Sequence, residues 1–272
     1  MNIIIEMMSY PFLVRAFVVG IIVSICASLL GTSLVLKRYS MIGDGLSHVG
    51  FAALAIAYPL GIAPLYVSIP ICIFSAFILL QIKESSKIKG DAATALMCSG
   101  ALAIGVMTIS LTTGMNTDVC NYMFGSILAM SVNDMYISLG LGISVLILYV
   151  LFYERIFAVT FDENFALATG TNADFYNMII ATLTAITVVL GMRMMGTLLI
   201  SSLIVFPSLT SMRVCKRFKT TVILSAILSI MCFIIGLVFS YKYSVPTGAC
   251  IVIMNIIVFV IFYTVEKLRE SR

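Results

Sequence analysis

The sequence is short of charge: only 10% of its 272 residues are Asp, Glu, Lys or Arg, against about 25% in an ordinary soluble domain. Its basic residues form no clustered face of the kind that binds nucleic acid. These shortages exclude a cytosolic enzyme, a nucleic-acid-binding domain and a disordered chain. No G-x-x-x-x-G-K-[ST] loop is present, so any ATP used must be hydrolysed by a separate chain. The seven cysteines, at 26, 72, 98, 120, 215, 232 and 250, make no CxxC pair. Most lie inside apolar runs, where cysteine acts as a small hydrophobe, and this speaks against a disulfide framework. The opening MNIIIEMMSYPF has neither a basic region nor a small-residue cleavage site. No cleavable leader is therefore expected. Residues 1–10 are expected at an interface.

What is abundant is apolar: 61% of the residues are hydrophobic, and the mean hydropathy is +1.15. A soluble fold of this length leaves roughly a quarter of its chain surface wet and cannot hide that much apolar material. The composition points to an all-α, polytopic integral membrane protein. The runs are continuous and do not alternate with period two, which excludes a β-barrel. Seventeen methionines are scattered, and are read as filler rather than as a soft-metal pathway.

Spans are counted from charge-free windows, since crossing needs about 20 apolar residues. The longest window, 45–82, breaks at Tyr58-Pro59-Leu60-Gly61 and yields two helices. Nine spans result, at 11–36, 43–58, 62–82, 92–113, 134–154, 173–192, 195–212, 219–240 and 246–266. Pro70 and Pro207 fall inside spans and are expected to kink them. With the N-terminus outside, thirteen basic residues lie inside: Lys37, Arg38, Lys83, Lys87, Lys89, Arg155, Arg213, Lys216, Arg217, Lys219, Lys267, Arg269 and Arg272. Three lie outside, Arg15, Arg193 and Lys242. This asymmetry predicts an outside N-terminus and an inside C-terminus. Loop 114–133, with Asp118 and no basic residue, reads as external. The chain 1–272 reads as one transmembrane domain, with no soluble domain and no low-complexity segment.

The second span opens Gly43-Asp44-Gly45-Leu46-Ser47-His48. Asp44 and His48 are four apart and share one helix face. His48 is the only histidine in the chain. An ionisable group inside a span is a functional candidate, and a carboxylate beside an imidazole is half of a cation site. Two copies across a dimer axis would complete it for a divalent transition metal. The competing reading has Asp44 capping its helix and His48 bonded to a neighbour. Gly43, Gly45, Ser47 and Gly50 allow close helix approach, and short Gly-interrupted spans are common at transporter sites.

Five segments carry a resemblance. KRYSMIGDGLSH (37–48) is similar to a signature (R/K)-R-x-S-x-x-G-D-x-(L/I)-(S/A)-H of the permease subunits of bacterial zinc and manganese ABC importers. DVCNYMFGSILAMSV (118–132), FDENFALATG (161–170), VLGMRMMGTLLISSLIVFPSLTSMR (189–213) and YKYSVPTGACI (241–251) resemble further segments of that family, in the same order. Departures are Asn164, Ser208-Leu209-Thr210 and Ser244.

The resemblance implies a transmembrane permease of an ATP-driven importer, itself not an enzyme and holding no resident cofactor. It would carry Zn2+ or Mn2+ as substrate, with Asp44 and His48 as ligands. Its partners would be a cytoplasmic ABC ATPase, an extracytoplasmic metal-binding protein, a second permease copy and the lipid bilayer of a bacterial inner membrane. No nucleic acid is expected. Segment 118–132 leans toward the zinc branch. Segment 155–172, with Asp162, Glu163, Phe165 and Gly170 and a short helix over Glu163–Ala168, is expected to couple to the ATPase, ahead of 83–91. The external loop with Asp118 is expected to meet the binding protein. A secondary, gradient-driven cation transporter and an iron-chelate-type ABC permease are the alternatives. If 37–43 is a plain turn, Asp44 lies near the inside edge; it lies deeper if 39–43 re-enters the membrane.

Overall fold

The computed structural model describes residues 3–85, 90–112 and 131–270. Among these, all regular structure is helical. In chain order the helices are α1 (Ile3–Met8), α2 (Pro11–Leu36), α3 (Ile42–Ala57), α4 (Pro64–Ser85), α5 (Gly90–Thr112), α6 (Val132–Leu151), α7 (Tyr153–Phe161), α8 (Glu163–Ala168), α9 (Ala173–Met195), α10 (Thr197–Met212), α11 (Phe218–Tyr243) and α12 (Thr247–Glu270).

Seven of these, α2, α4, α5, α6, α9, α11 and α12, are long and apolar enough to cross a membrane. The apolar helices α3 and α10 are shorter, at 16 residues each. At 1.5 Å per residue each is about 24 Å long, less than the roughly 30 Å of a bilayer's hydrocarbon core. Each expected span thus has a helix.

Local chemistry sets the helix ends. Pro11 stands at the start of α2, where its missing N–H costs nothing. Ser131 and Asp134 close a capping box on α6, satisfying two otherwise orphaned donors. The loop Tyr58-Pro59-Leu60-Gly61 separates α3 from α4, with Gly61 at φ 65. Pro70 and Pro207 lie within α4 and α10 and do not end them. Several ends move by a few residues from expectation, and one of them has a tertiary cause. α9 continues through Arg193 to Met195 and stops at Gly196, which has φ 85. A charge there does not end the helix because Asp134 of α6 receives it, with Arg193 Nη2 2.6 Å from Asp134 Oδ2.

The buried core runs through α2, α9 and α10. Of the apolar window of α9, 72% is buried, against 22% for α12, so α9 is interior and α12 lies on the outside of the bundle. Gly31 lets α2 and α10 meet backbone to backbone: a Cβ at Gly31 would come within 2.0 Å of the Ile204 carbonyl oxygen. Buried hydroxyls stitch α2 to its neighbours. Ser229 on α11 donates to the Ser24 carbonyl at 3.0 Å, and Ser208 on α10 lies 3.4 Å from Thr32. Small and hydroxyl side chains are how helices bind each other where lipid is as apolar as leucine.

Candidate metal site

α3 is packed by other helices rather than by lipid: α4, α5, α9 and α10 all lie against it. Its glycines and alanines permit this, and thirteen of its sixteen residues are buried. A helix enclosed in protein can be short, because its ends find polar partners there rather than in hydrocarbon.

Asp44 and His48 fall on one face of α3, with His48 Nε2 3.9 Å from Asp44 Oδ1. The carboxylate does not cap the helix. Met41 occupies the cap position, and no side chain caps it. Instead Asp44 reaches across the bundle. Cys98 of α5 lies with Sγ 3.8 Å from Asp44 Oδ2, and Ser201 of α10 donates to Asp44 Oδ1 at 3.4 Å. His48 Nδ1 is buried and makes no hydrogen bond among the described residues. Ligand atoms of Asp44, His48 and Cys98 lie within 4.8 Å of one another. Donors around one ion at about 2.0–2.3 Å sit roughly 3–4 Å apart, so a modest closure would let an oxygen, a nitrogen and a sulfur share a cation.

Neither Cys98 nor Ser201 is a site candidate in the sequence reading. Nothing local sets Cys98 apart from the other cysteines, and Ser201 is one hydroxyl among many. Only the packing of α5 and α10 on α3 selects them. The approach to the site is a tight turn rather than a re-entrant stretch. Arg38 takes φ 60, Tyr39 N–H donates to the Leu34 carbonyl at 2.8 Å, and α3 begins at Ile42. Asp44 lies in the first turn of α3, and His48 and Cys98 lie about two turns into α3 and α5.

The coupling candidates form the expected short helix over Glu163–Ala168, preceded by a second one, α7, that the sequence reading did not give. α7 and α8 join α6 to α9. Asp162 caps α8, its Oδ1 accepting from Phe165 N–H at 3.0 Å. Gly170, at φ 82, ends it, and Arg155 donates to Thr171 Oγ1 at 3.0 Å just beyond. α8 shows Phe165 outward, 65% exposed, beside Phe161 at 69%. Glu163 turns inward, where Asn177 donates to its Oε1 at 2.8 Å. Asp118, on the expected external loop, lies outside the described residues, as do residues 86–89 of the competing segment.

The profile of the ABC 3 transport family matches residues 9–266. The manganese import system permease protein ScaB of Streptococcus gordonii is 31% identical over 96% of this chain and 94% of its own. The manganese transport system membrane protein MntC of Halalkalibacterium halodurans is 27% identical over 92% of this chain and 85% of its own. The solved structure of PsaBC from Streptococcus pneumoniae, in complex with Fab, superposes with TM-score 0.86 at 30% identity, covering 96% of this chain and 94% of that one. A family match over almost the whole length, with relatives aligned end to end, means that this multi-pass membrane chain belongs to the ABC 3 transport family, as a permease of the ABC metal-importer type.

Proposed function

We propose that this chain carries a divalent first-row transition ion through Asp44, His48 and Cys98, manganese ahead of zinc. The observation that carries the reading is the convergence of a carboxylate and an imidazole on one face of α3 with a thiol from α5, all partly buried. The sequence alone leaned to zinc. The names of the relatives, manganese import and manganese transport proteins, now support manganese. Zinc is kept as the second reading for one reason: a thiolate ligand favours the softer ion. Membership in an ABC family disfavours a gradient-driven carrier.

In this mechanism a binding protein delivers the ion to the outer face, and a separate ATPase docks on α7–α8, against Phe161 and Phe165. ATP binding and hydrolysis on that chain switch the permease between inward and outward states, which must differ in their contacts to the ion. Asp44 supplies charge to draw the cation from water, His48 and Cys98 replace its lost hydration, and Ser201 holds the carboxylate across from α10. The chain acts as one domain with its N-terminus outside. It pairs with a second copy, the default symmetry for such assemblies. It needs no resident cofactor.

Uptake of radioactive manganese and of zinc by liposomes holding the permease, ATPase and binding protein tests this. Wild type should import manganese faster than zinc. Asp44→Ala and His48→Ala should import neither while the complex still assembles. Normal uptake by both variants would overturn the site, and import of neither ion by wild type would overturn the substrate.

A further inference from the structure

Lys37 is the cap residue just beyond the C-terminal end of α2, and only 7% of its side chain is exposed. A buried ammonium needs a partner. It finds two, on different elements. Its Nζ lies 3.6 Å from Glu163 Oε2 at the start of α8 and donates to Asn177 Oδ1 on α9. The same asparagine donates through Nδ2 to the other Glu163 oxygen at 2.8 Å. Three side chains therefore close a ring that joins α2, α8 and α9.

The position of this ring matters more than its strength. Glu163 and Ala166 are three apart and share the inward face of α8, opposite the exposed Phe165. The other attachment of α8 is apolar: Ala166 packs with Val159 and Ala173, on α7 and α9. That contact stays within the α7–α9 segment. α7 and α9 also pack on α2, but of the bonds made by α8 itself it is this ring that reaches beyond the segment, to Lys37. From Lys37 the chain turns through Arg38, at φ 60, and the Tyr39 to Leu34 and Ile42 to Tyr39 hydrogen bonds, 2.8 and 3.0 Å long, hold that turn tight. It opens directly into α3, whose first turn holds Asp44. A shift of Lys37 cannot be absorbed by slack chain before it reaches the cluster of Asp44, His48 and Cys98.

We infer that the Lys37–Asn177–Glu163 ring is the tie through which movement of α8 reaches α3, making these three positioning residues for transport. The inference rests on the permease reading above. Glu163 is 43% exposed, so the tie lies at the rim of the bundle, where it can loosen and re-form as α8 is pulled. Asn177 also suits the role. Its amide has a donor end and an acceptor end, and a half-turn exchanges them. The ring should therefore tolerate exchange of its two charges.

The test uses the whole complex, permease with ATPase and binding protein, in liposomes, with ion uptake and phosphate release read from one sample. Three variants are compared: Glu163→Gln, Lys37→Met, and the exchange Lys37→Glu with Glu163→Lys. The single variants should assemble and hydrolyse ATP, yet move about tenfold fewer ions per ATP, the size of an ordinary coupling free energy. The exchange should regain most of that ratio. Equal ions per ATP in wild type and single variants would overturn the tie, as would an exchange no better than the worse single variant. Should Lys37→Met fail to assemble, the exchange decides: recovery of both assembly and coupling supports the tie, and recovery of neither overturns it. Manganese binding to the permease in detergent should be unchanged in all three and weakened by Asp44→Ala. If wild type imports no divalent ion, the substrate reading fails on its own. The tie is then read from stimulation of ATP hydrolysis by the binding protein, lost in the single variants and regained in the exchange if it exists, and unaltered throughout if it does not.

Discussion

α3 and α12 are both apolar helices, and a hydropathy window treats them alike. They do opposite jobs. α3 has sixteen residues, thirteen of them buried, and its sequence is rich in Gly and Ala. α12 has twenty-four, with Ile253, Ile256, Ile257, Val260 and Ile261 exposed along it. Small side chains let other helices close around α3, and that enclosure makes a charged site tolerable. Bulky branched side chains on α12 are left uncovered on the outside of the bundle. Side-chain size, rather than hydropathy, separates a helix that works from a helix that walls.

The largest effect that would break this contrast lies at Asp44 and His48. Removing either side chain on α3 should lower ion uptake by about 100-fold, a loss of roughly 2.7 kcal/mol of differential binding, with the complex still recoverable by affinity capture. Next, Ala53 of α3 is 1% exposed. Ala53→Leu should destabilise the detergent-solubilised protein by about 1–3 kcal/mol through overpacking, seen as a lower midpoint in a thermal scan. A smaller effect is expected at Cys98→Ser, which keeps a donor but hardens it. Zinc affinity should fall about tenfold, and manganese affinity less, by titration against a chelating dye, because sulfur favours the softer ion. The smallest belongs to α12: Ile257→Ala should change stability by no more than about 0.5 kcal/mol and leave uptake alone. If Ile257→Ala cost as much as Ala53→Leu, the division between working and walling helices would be wrong, and α12 would be packed against protein in the assembly.

Much of the fold was legible because apolar runs and turn residues are local signals. The break at Tyr58-Pro59-Leu60-Gly61 and the short helix Glu163–Ala168 both follow from residues within one or two turns of each other. The boundary at Arg193 was misplaced for the opposite reason. A charge in an apolar run looks like an end of the span, and only its pairing with Asp134 on α6 lets α9 continue to Gly196. The lean toward zinc likewise rested on one short segment, and the relatives' names support the other ion.

The site divides along the same line. Sequence by itself determined that Asp44 and His48 share a face, because residues four apart on a helix must. It also determined that they sit in a short, glycine-rich helix that others can approach closely. Tertiary structure alone decided that Cys98 and Ser201 meet that face, and that Lys37 is held by Glu163 and Asn177. Those contacts join residues far apart in the chain, so no local spacing encodes them. They depend on which helices pack together, and that is settled by the fit of whole surfaces.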